Sequence, residues 1–246
     1  MKSTNIPIEV SAFVLKHKLY RAFAIYLRLK FHNDKIHGSE IKGVLDLDQR
    51  TIDKHLKSLL ELNWIGYNPK SDTYHIRGFQ YIREAQEFKR RRASVLLTRD
   101  INNIQIYLAG ALICNAIMDQ EYYKRSGTGT KKRGVPKQSP TFSYLALSSY
   151  KIAKIISCNH QSKACLIKNK AKKAGYISTK KQFKFISDDA NYRKALYHVE
   201  PLEAMRMRLI QGKVYRQLPD EITPKIPFRK IKKLVLQEKY TDSRGC

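Results

Sequence analysis

The segment from Ile152 to Ile177, IAKIISCNHQSKACLIKNKAKKAGYI, narrows the possible folds more than any other. Its apolar residues fall at helical spacing in two runs divided near Asn159, and the second run leads into Tyr176-Ile177, a strand start. Ser148 is placed to cap a first helix running to Ile156. Gln161 to Ala174 forms a second, whose small residues Ala164, Ala171 and Ala174 pack beside Ile167. The spacing predicts two short helices joined by a tight turn, the second one basic. No acidic side chain occurs between Glu121 and Asp188, although that interval of 66 residues holds 16 Lys or Arg.

The charge is not local. The chain carries 48 basic and 21 acidic side chains over 246 residues, a formal +27, far beyond what solubility requires. A polyanion is the expected partner, and nucleic acid is the default polyanion. A merely solvated helix face ordinarily mixes both signs so that neighbours pair, whereas Lys168 to Lys173 has no acidic partner within reach in sequence. An apolar content of 42% is enough for ordinary cores. No uninterrupted run of 18 apolar residues exists, and MKSTNIPIEV lacks the apolar core of a signal peptide. The expectation is a cytoplasmic, nucleoid-associated protein with no membrane partner. Cys114, Cys158, Cys165 and Cys246 lack the paired spacing of zinc fingers; Cys158, His160 and Cys165 are near one another but want a fourth ligand. Reduced thiols are expected, with no metal and no cofactor.

Towards the N-terminus, Val10 to Phe31 reads as one long amphipathic helix. After a break at His32-Asn33-Asp34, a short helix opens at Gly38-Ser39-Glu40 with Ser39 as N-cap and ends near Leu45. Asp48 can cap the next, where Ile52, Leu56, Leu59 and Leu60 make an apolar face. Trp64 and Ile65 start a strand, and Tyr67 to Tyr74 reads as a hairpin built on Asn, Pro, Ser and Asp.

This order of helices followed by a two-stranded wing carries a resemblance. Residues 10 to about 80 resemble winged helix-turn-helix domains, with RTIDKHLKSLLELNWIGY (Arg50 to Tyr67) looking like the recognition helix and the start of the wing. Asn63 stands where the usual Gly would be, which is tolerable because Asn also enters the left-handed region. Ile152 to Ile177 resembles the corresponding part of a second such unit. Its wing would pair Tyr176-Ile177 with Phe183 to Ile186, followed by an inserted helical segment over Asp188 to Leu209 and a strand at Val214-Tyr215 ended by Pro219.

The expected class is therefore α+β, mainly α with small β wings. Residues 1–88 form the first winged unit, 89–139 a helical connector with a basic loop, 140–222 the second unit and 223–246 a basic tail. The connector takes in Ser94 to Tyr123, whose apolar residues suit helices. The tandem arrangement looks like that of plasmid and phage replication initiators and of mobile-element regulators. That resemblance implies sequence-specific binding of double-stranded DNA, with two recognition helices entering successive major grooves, as a monomer or a homodimer.

Within that frame the first unit offers Gln49, Arg50, Thr51, Lys54 and His55 to the groove. Arg50 suits guanine and Gln49 adenine, while Lys54 and Lys57 suit phosphate. In the second unit His160, Gln161, Ser162 and Lys163 take the same place, followed by Lys168, Lys170, Lys172 and Lys173. Lys70 and Arg77 in the first wing, and Lys180, Lys181 and Lys184 in the second, suit flanking phosphate; Lys131-Lys132-Arg133 suits a basic arm. Catalysis is not expected. Tyr122-Tyr123 has no His-x-His pair to accompany it, and neither a phosphate-cradling Gly loop nor a nucleophile elbow is present. Two other readings remain open: a non-specific architectural binder, and an RNA-binding or ribosome-associated protein.

Overall fold

In a computed structural model, which describes residues 2–127, 145–188 and 207–234, the chain is α+β and divides into two compact units. Unit 1 comprises Met1–Leu112 with Ile226–Cys246, and unit 2 comprises Ile113–Lys225. Unit 2 is thus an insertion in the chain of unit 1. Residues 92 to 112 and 226 to 234, expected in a connector and a tail, belong to unit 1.

Unit 1 begins with β1 (Ser3–Pro7), α1 (Ile8–Lys16) and α2 (Tyr20–His32). The single long helix expected over Val10 to Phe31 is two, because Lys18 adopts a left-handed φ of 57° and the Leu19 amide donates back to the Val14 carbonyl. The bend lets both helices reach one aromatic cluster. Trp64, 1% exposed, lies 6.1 Å from Phe13 of α1 and 5.7 and 5.8 Å from Phe23 and Tyr26 of α2, ring centre to ring centre.

Next come β2 (Lys35–His37), α3 (Gly38–Leu45), α4 (Gln49–Glu61), β3 (Ile65–Asn68) and β4 (Thr73–Ile76), with the strands in the order β2-β4-β3. Asp48 caps α4 by accepting from the Thr51 amide at 2.8 Å. The cap of α3 is His37 rather than Ser39: the His37 Nδ1 accepts from the Ser39 amide at 3.3 Å, leaving Ser39 inside the first turn. Ile52, Leu56 and Leu59 are buried, but Leu60 is on the exposed side. Arg28 of α2 donates to the Leu45 carbonyl at 2.9 Å, satisfying the open end of α3.

α5 (Phe79–Ala85) and β5 (Arg92–Leu97) complete the first pass through unit 1. β5 is the middle of an antiparallel sheet ordered β1-β5-β10, where β10 is Phe228–Lys230. Helical spacing misread Val95 and Leu96, since an apolar run this short fits either period and the long-range pairing decides. The same pairing orders Phe228 to Lys230. Arg83, 1% exposed, ties the returning segment down by donating to the carbonyls of Lys232 and Arg90.

After a 3₁₀ stretch (Thr98–Asn103), α6 (Ile104–Gly127) carries the chain into unit 2. Thr98–Gln120 is long and apolar enough by composition to cross a membrane, yet 67% of its most apolar window is buried within the fold. Unit 2 continues with β6 (Leu145–Ala146), α7 (Ser149–Ile155), α8 (Gln161–Lys173), β7 (Ile177–Asp188), β8 (Met207–Ile210) and β9 (Lys213–Pro224). Its strands are ordered β6-β9-β7, with β8 also on β9.

The expected return strand at Phe183 to Ile186 is instead a continuation of β7, whose partner is β9. Pro219 does not end β9. It lies within a register shift opposite Lys181, where a proline removes no ladder hydrogen bond. In the segment expected to be an inserted helix, Met207–Ile210 is strand, and residues 189–206 lie outside the described residues.

The order α2-β2-α3-α4-β3-β4 of unit 1 is echoed among the described residues by α6-β6-α7-α8-β7-β9, with an extra strand, β8, between β7 and β9 in unit 2. In each sheet the last strand lies between the first strand and the one that follows the second helix of the pair, and in unit 2 β8 pairs with it as well. The repeat extends to single residues. α4 is followed by Asn63 at φ 58° and α8 by Gly175 at φ 78°; then come the buried aromatics Trp64 and Tyr176, whose amides donate back to Leu59 and Ala171 at 2.9 and 3.0 Å. Asp46 and Ser157, both left-handed, lie in the turn that precedes the second helix of each pair.

Candidate nucleic-acid interface

α4 is amphipathic. With Ile52, Leu56 and Leu59 buried, Gln49, Arg50, Asp53, Lys54 and Lys57 are exposed, and Thr51 and His55 are half-buried. Gln49 Nε2 donates to Asp53 Oδ1 at 2.7 Å, so its amide is already engaged along the helix. Burial, reinforced by Lys54 and Arg21, lowers the pKa of His55 below the ordinary imidazole value, which favours the neutral ring. Two hydrogen bonds from Thr51 hold the Asp48 carboxyl below its ordinary value.

The β3-β4 hairpin of unit 1 is tied to the start of α3. Gly38 donates its amide to the Asp72 carbonyl at 2.8 Å, and a Cβ on Gly38 would lie 2.5 Å from the Asp72 carboxylate, so a larger residue there would have to displace the Asp72 side chain. Asp72 accepts from the Tyr67 hydroxyl at 3.0 Å, and the Tyr67 and Tyr74 rings are 4.7 Å apart. Lys70 is exposed in the turn of this hairpin. Arg77 is not at the tip: it follows β4 at the base, half-buried, with its guanidinium 4.2 Å from the centre of the Tyr81 ring and its carbonyl bonded to the Tyr26 hydroxyl. These contacts brace the base of the β3-β4 hairpin.

α8 presents a different surface. Gln161, Ser162, Lys163, Asn169, Lys170, Lys172 and Lys173 are exposed, as is His160 just before it, and the helix contains no acid. Lys168 departs from the expected role. It is 6% exposed and its Nζ lies 2.5 Å from Asp220 Oδ2 of β9, so it pins the helix to the sheet and cannot reach a phosphate. The partner missing in sequence is supplied by the fold. Lys180, Lys181 and Lys184 are exposed on β7, spread along the strand and not gathered at a tip. Lys131, Lys132 and Arg133 lie outside the described residues. Cys158 turns its thiol towards the His160 carbonyl at 3.5 Å, and no group of three potential metal ligands converges among the described residues.

The exposed groups missed at the sequence level are on the far part of the unit 2 sheet, where Phe183, Phe185, Arg208 and Lys213 are exposed. The alternation of Phe with Lys over Lys181 to Phe185 was the available signal. The chain matches no protein-family model, no curated protein and no solved structure.

Proposed function

We propose that each unit is a winged helix-turn-helix module and that the protein binds double-stranded DNA, with α4 and α8 as the groove-facing helices. The observation that carries this reading is the repeat itself. Two units with little sequence in common share, apart from the extra strand β8 of unit 2, the order of elements and the placing of the last strand inside the sheet, as well as the left-handed residue after the second helix of the pair and the buried aromatic that follows. In both, the helix so placed keeps a polar, solvent-facing side wide enough to enter a major groove.

The groups divide by task. Arg50 is the guanine reader, and Gln161 and Ser162 are the base-edge groups of α8. Lys54, Lys57, Lys70, Lys163, Lys170, Lys172 and Lys173 contact phosphate. A regulator or a replication initiator of a mobile element is the role such a reader of a discrete duplex site fills.

The test is selection of bound sequences from random duplex DNA at moderate salt with structured RNA as competitor. A bipartite motif is the expected result. Enrichment that follows charge alone, or retention of the RNA in its place, overturns the reading.

A further inference from the structure

The antiparallel pair β7-β9 that follows α8 is much longer than the β3-β4 pair of unit 1. β7 and β9 have 12 residues each, whereas β3 and β4 have 4. The excess adds roughly 25 Å of strand. A wing that only flanks a groove does not need that length.

The register sorts the side chains of this extension. Phe185 lies opposite Tyr215, Phe183 opposite Gln217, and Arg208 of β8 opposite Tyr215, so these five share a face. Lys184, Arg216 and Met207 share the other. That other face also has Val214 and is partly buried, with Val214 0% and Met207 7% exposed. On the first face Phe183 is 36% and Phe185 49% exposed. Tyr215 meets both rings at a steep angle, 74° at 6.4 Å for Phe183 and 73° at 5.8 Å for Phe185, which fixes their orientation.

We propose that this face is a stacking platform for single-stranded DNA, with bases on Phe183 and Phe185 and the backbone along Lys181 and Arg208. Neighbouring same-face rings stand about 6.6 Å apart on a strand. Any base has a π-face for them, and a cationic border completes the usual combination for binding a single strand. Lys213 adds to that border less, because the register sets Asp188 opposite it.

Gln217 and Arg208 of this face, with Lys181, Asn169 and Asp220, also line a hollow of about 360 Å³. The choice of DNA over RNA rests on the duplex reading above: beside a duplex held by α8, the nearest single strand is one separated from that duplex.

The full-length protein is titrated into labelled single-stranded DNA of about 20 nucleotides, the same RNA sequence, and the selected duplex, at moderate and high salt. Phe183→Ala/Phe185→Ala is expected to weaken single-strand binding by about tenfold for each ring, most visibly at high salt, and to leave duplex affinity unchanged. Phe183→Trp/Phe185→Trp is expected to retain or raise it, which separates stacking from misfolding. Equal losses on single strand and duplex, no loss on the single strand, or tighter ring-dependent binding of RNA each overturn the proposal. Ring-dependent binding of single-stranded DNA by a protein that selects no duplex motif supports the platform while sinking the duplex reading.

Discussion

α4 and α8 are both 13 residues long, both are preceded by a left-handed turn residue and followed by another, and both lean on a buried aromatic. Their surfaces diverge. α4 balances Arg50, Lys54 and Lys57 with Asp53 and Glu61, and its Gln49 is bonded to Asp53. α8 has five lysines and no acid, and among the described residues the carboxylate paired with it, Asp220, comes from β9 and engages its buried lysine. The same scaffold can thus hold a helix whose field is nearly neutral or one whose field is strongly positive, because the buried side sets the fold and the exposed side is free to vary. On the proposed reading α4 discriminates among sequences and α8 supplies attraction.

The sharpest way to break this contrast is at Lys168. Lys168→Met leaves Asp220 as an uncompensated buried charge, and unit 2 is expected to lose about 3–5 kcal/mol in urea unfolding. Lys168→Met/Asp220→Leu should recover most of that loss. Should the single variant unfold like the parent, the pair does not anchor α8.

A smaller effect is expected at Arg50. Arg50→Ala should cost about 1–3 kcal/mol on the selected site and relax preference at one base pair, read by repeating the selection. An unchanged motif would remove Arg50 from base reading. Lys172→Ala/Lys173→Ala should weaken all duplexes alike and lower the slope of log affinity against log salt by about 2. A loss confined to one sequence would make these lysines readers, and the division of labour would fail.

The mildest contrast is in pH. Asp48 has a depressed carboxyl pKa in the folded chain, so its contribution is present above the unfolded carboxylate pKa and is lost as pH falls through the folded value. His160, the equivalent residue before α8, makes no side-chain cap. Acidification below about pH 4 should therefore fray the start of α4 before that of α8. Amide exchange at Thr51, followed against pH, should accelerate there, and a flat profile would show that the cap does not hold the helix.

Much of the local structure was legible because it depends on near neighbours. Asp48 and Ser148 as caps, Asn63 in the left-handed region, the strand beginning at Ile65, one residue after the expected start, and the limits of α8 to within a residue follow from spacing and cap chemistry. What was hidden depends on distant residues. β5 reads as helix until β1 and β10 flank it, and Pro219 reads as a stop until the register shift opposite it is known. Lys168 looked like its neighbours because Asp220 is remote in sequence. On the candidate interface, the exposure of Gln49, Arg50 and Lys54 was legible from periodicity, whereas Thr51 and His55 are half-buried, and the role of Arg77 depended on Tyr81 and Tyr26.

The insertion of unit 2 between β5 and β10 has a consequence for biosynthesis. β5 leaves the ribosome early, with β1 already available for one edge, but the strand for its other edge is translated only after the whole of unit 2. At ordinary elongation rates that interval is roughly ten seconds. An open strand edge is a template for pairing with other chains. The nascent polypeptide therefore carries its greatest risk of aggregation before the last residues arrive, and a nonsense codon just upstream of Phe228 would leave that edge permanently uncovered.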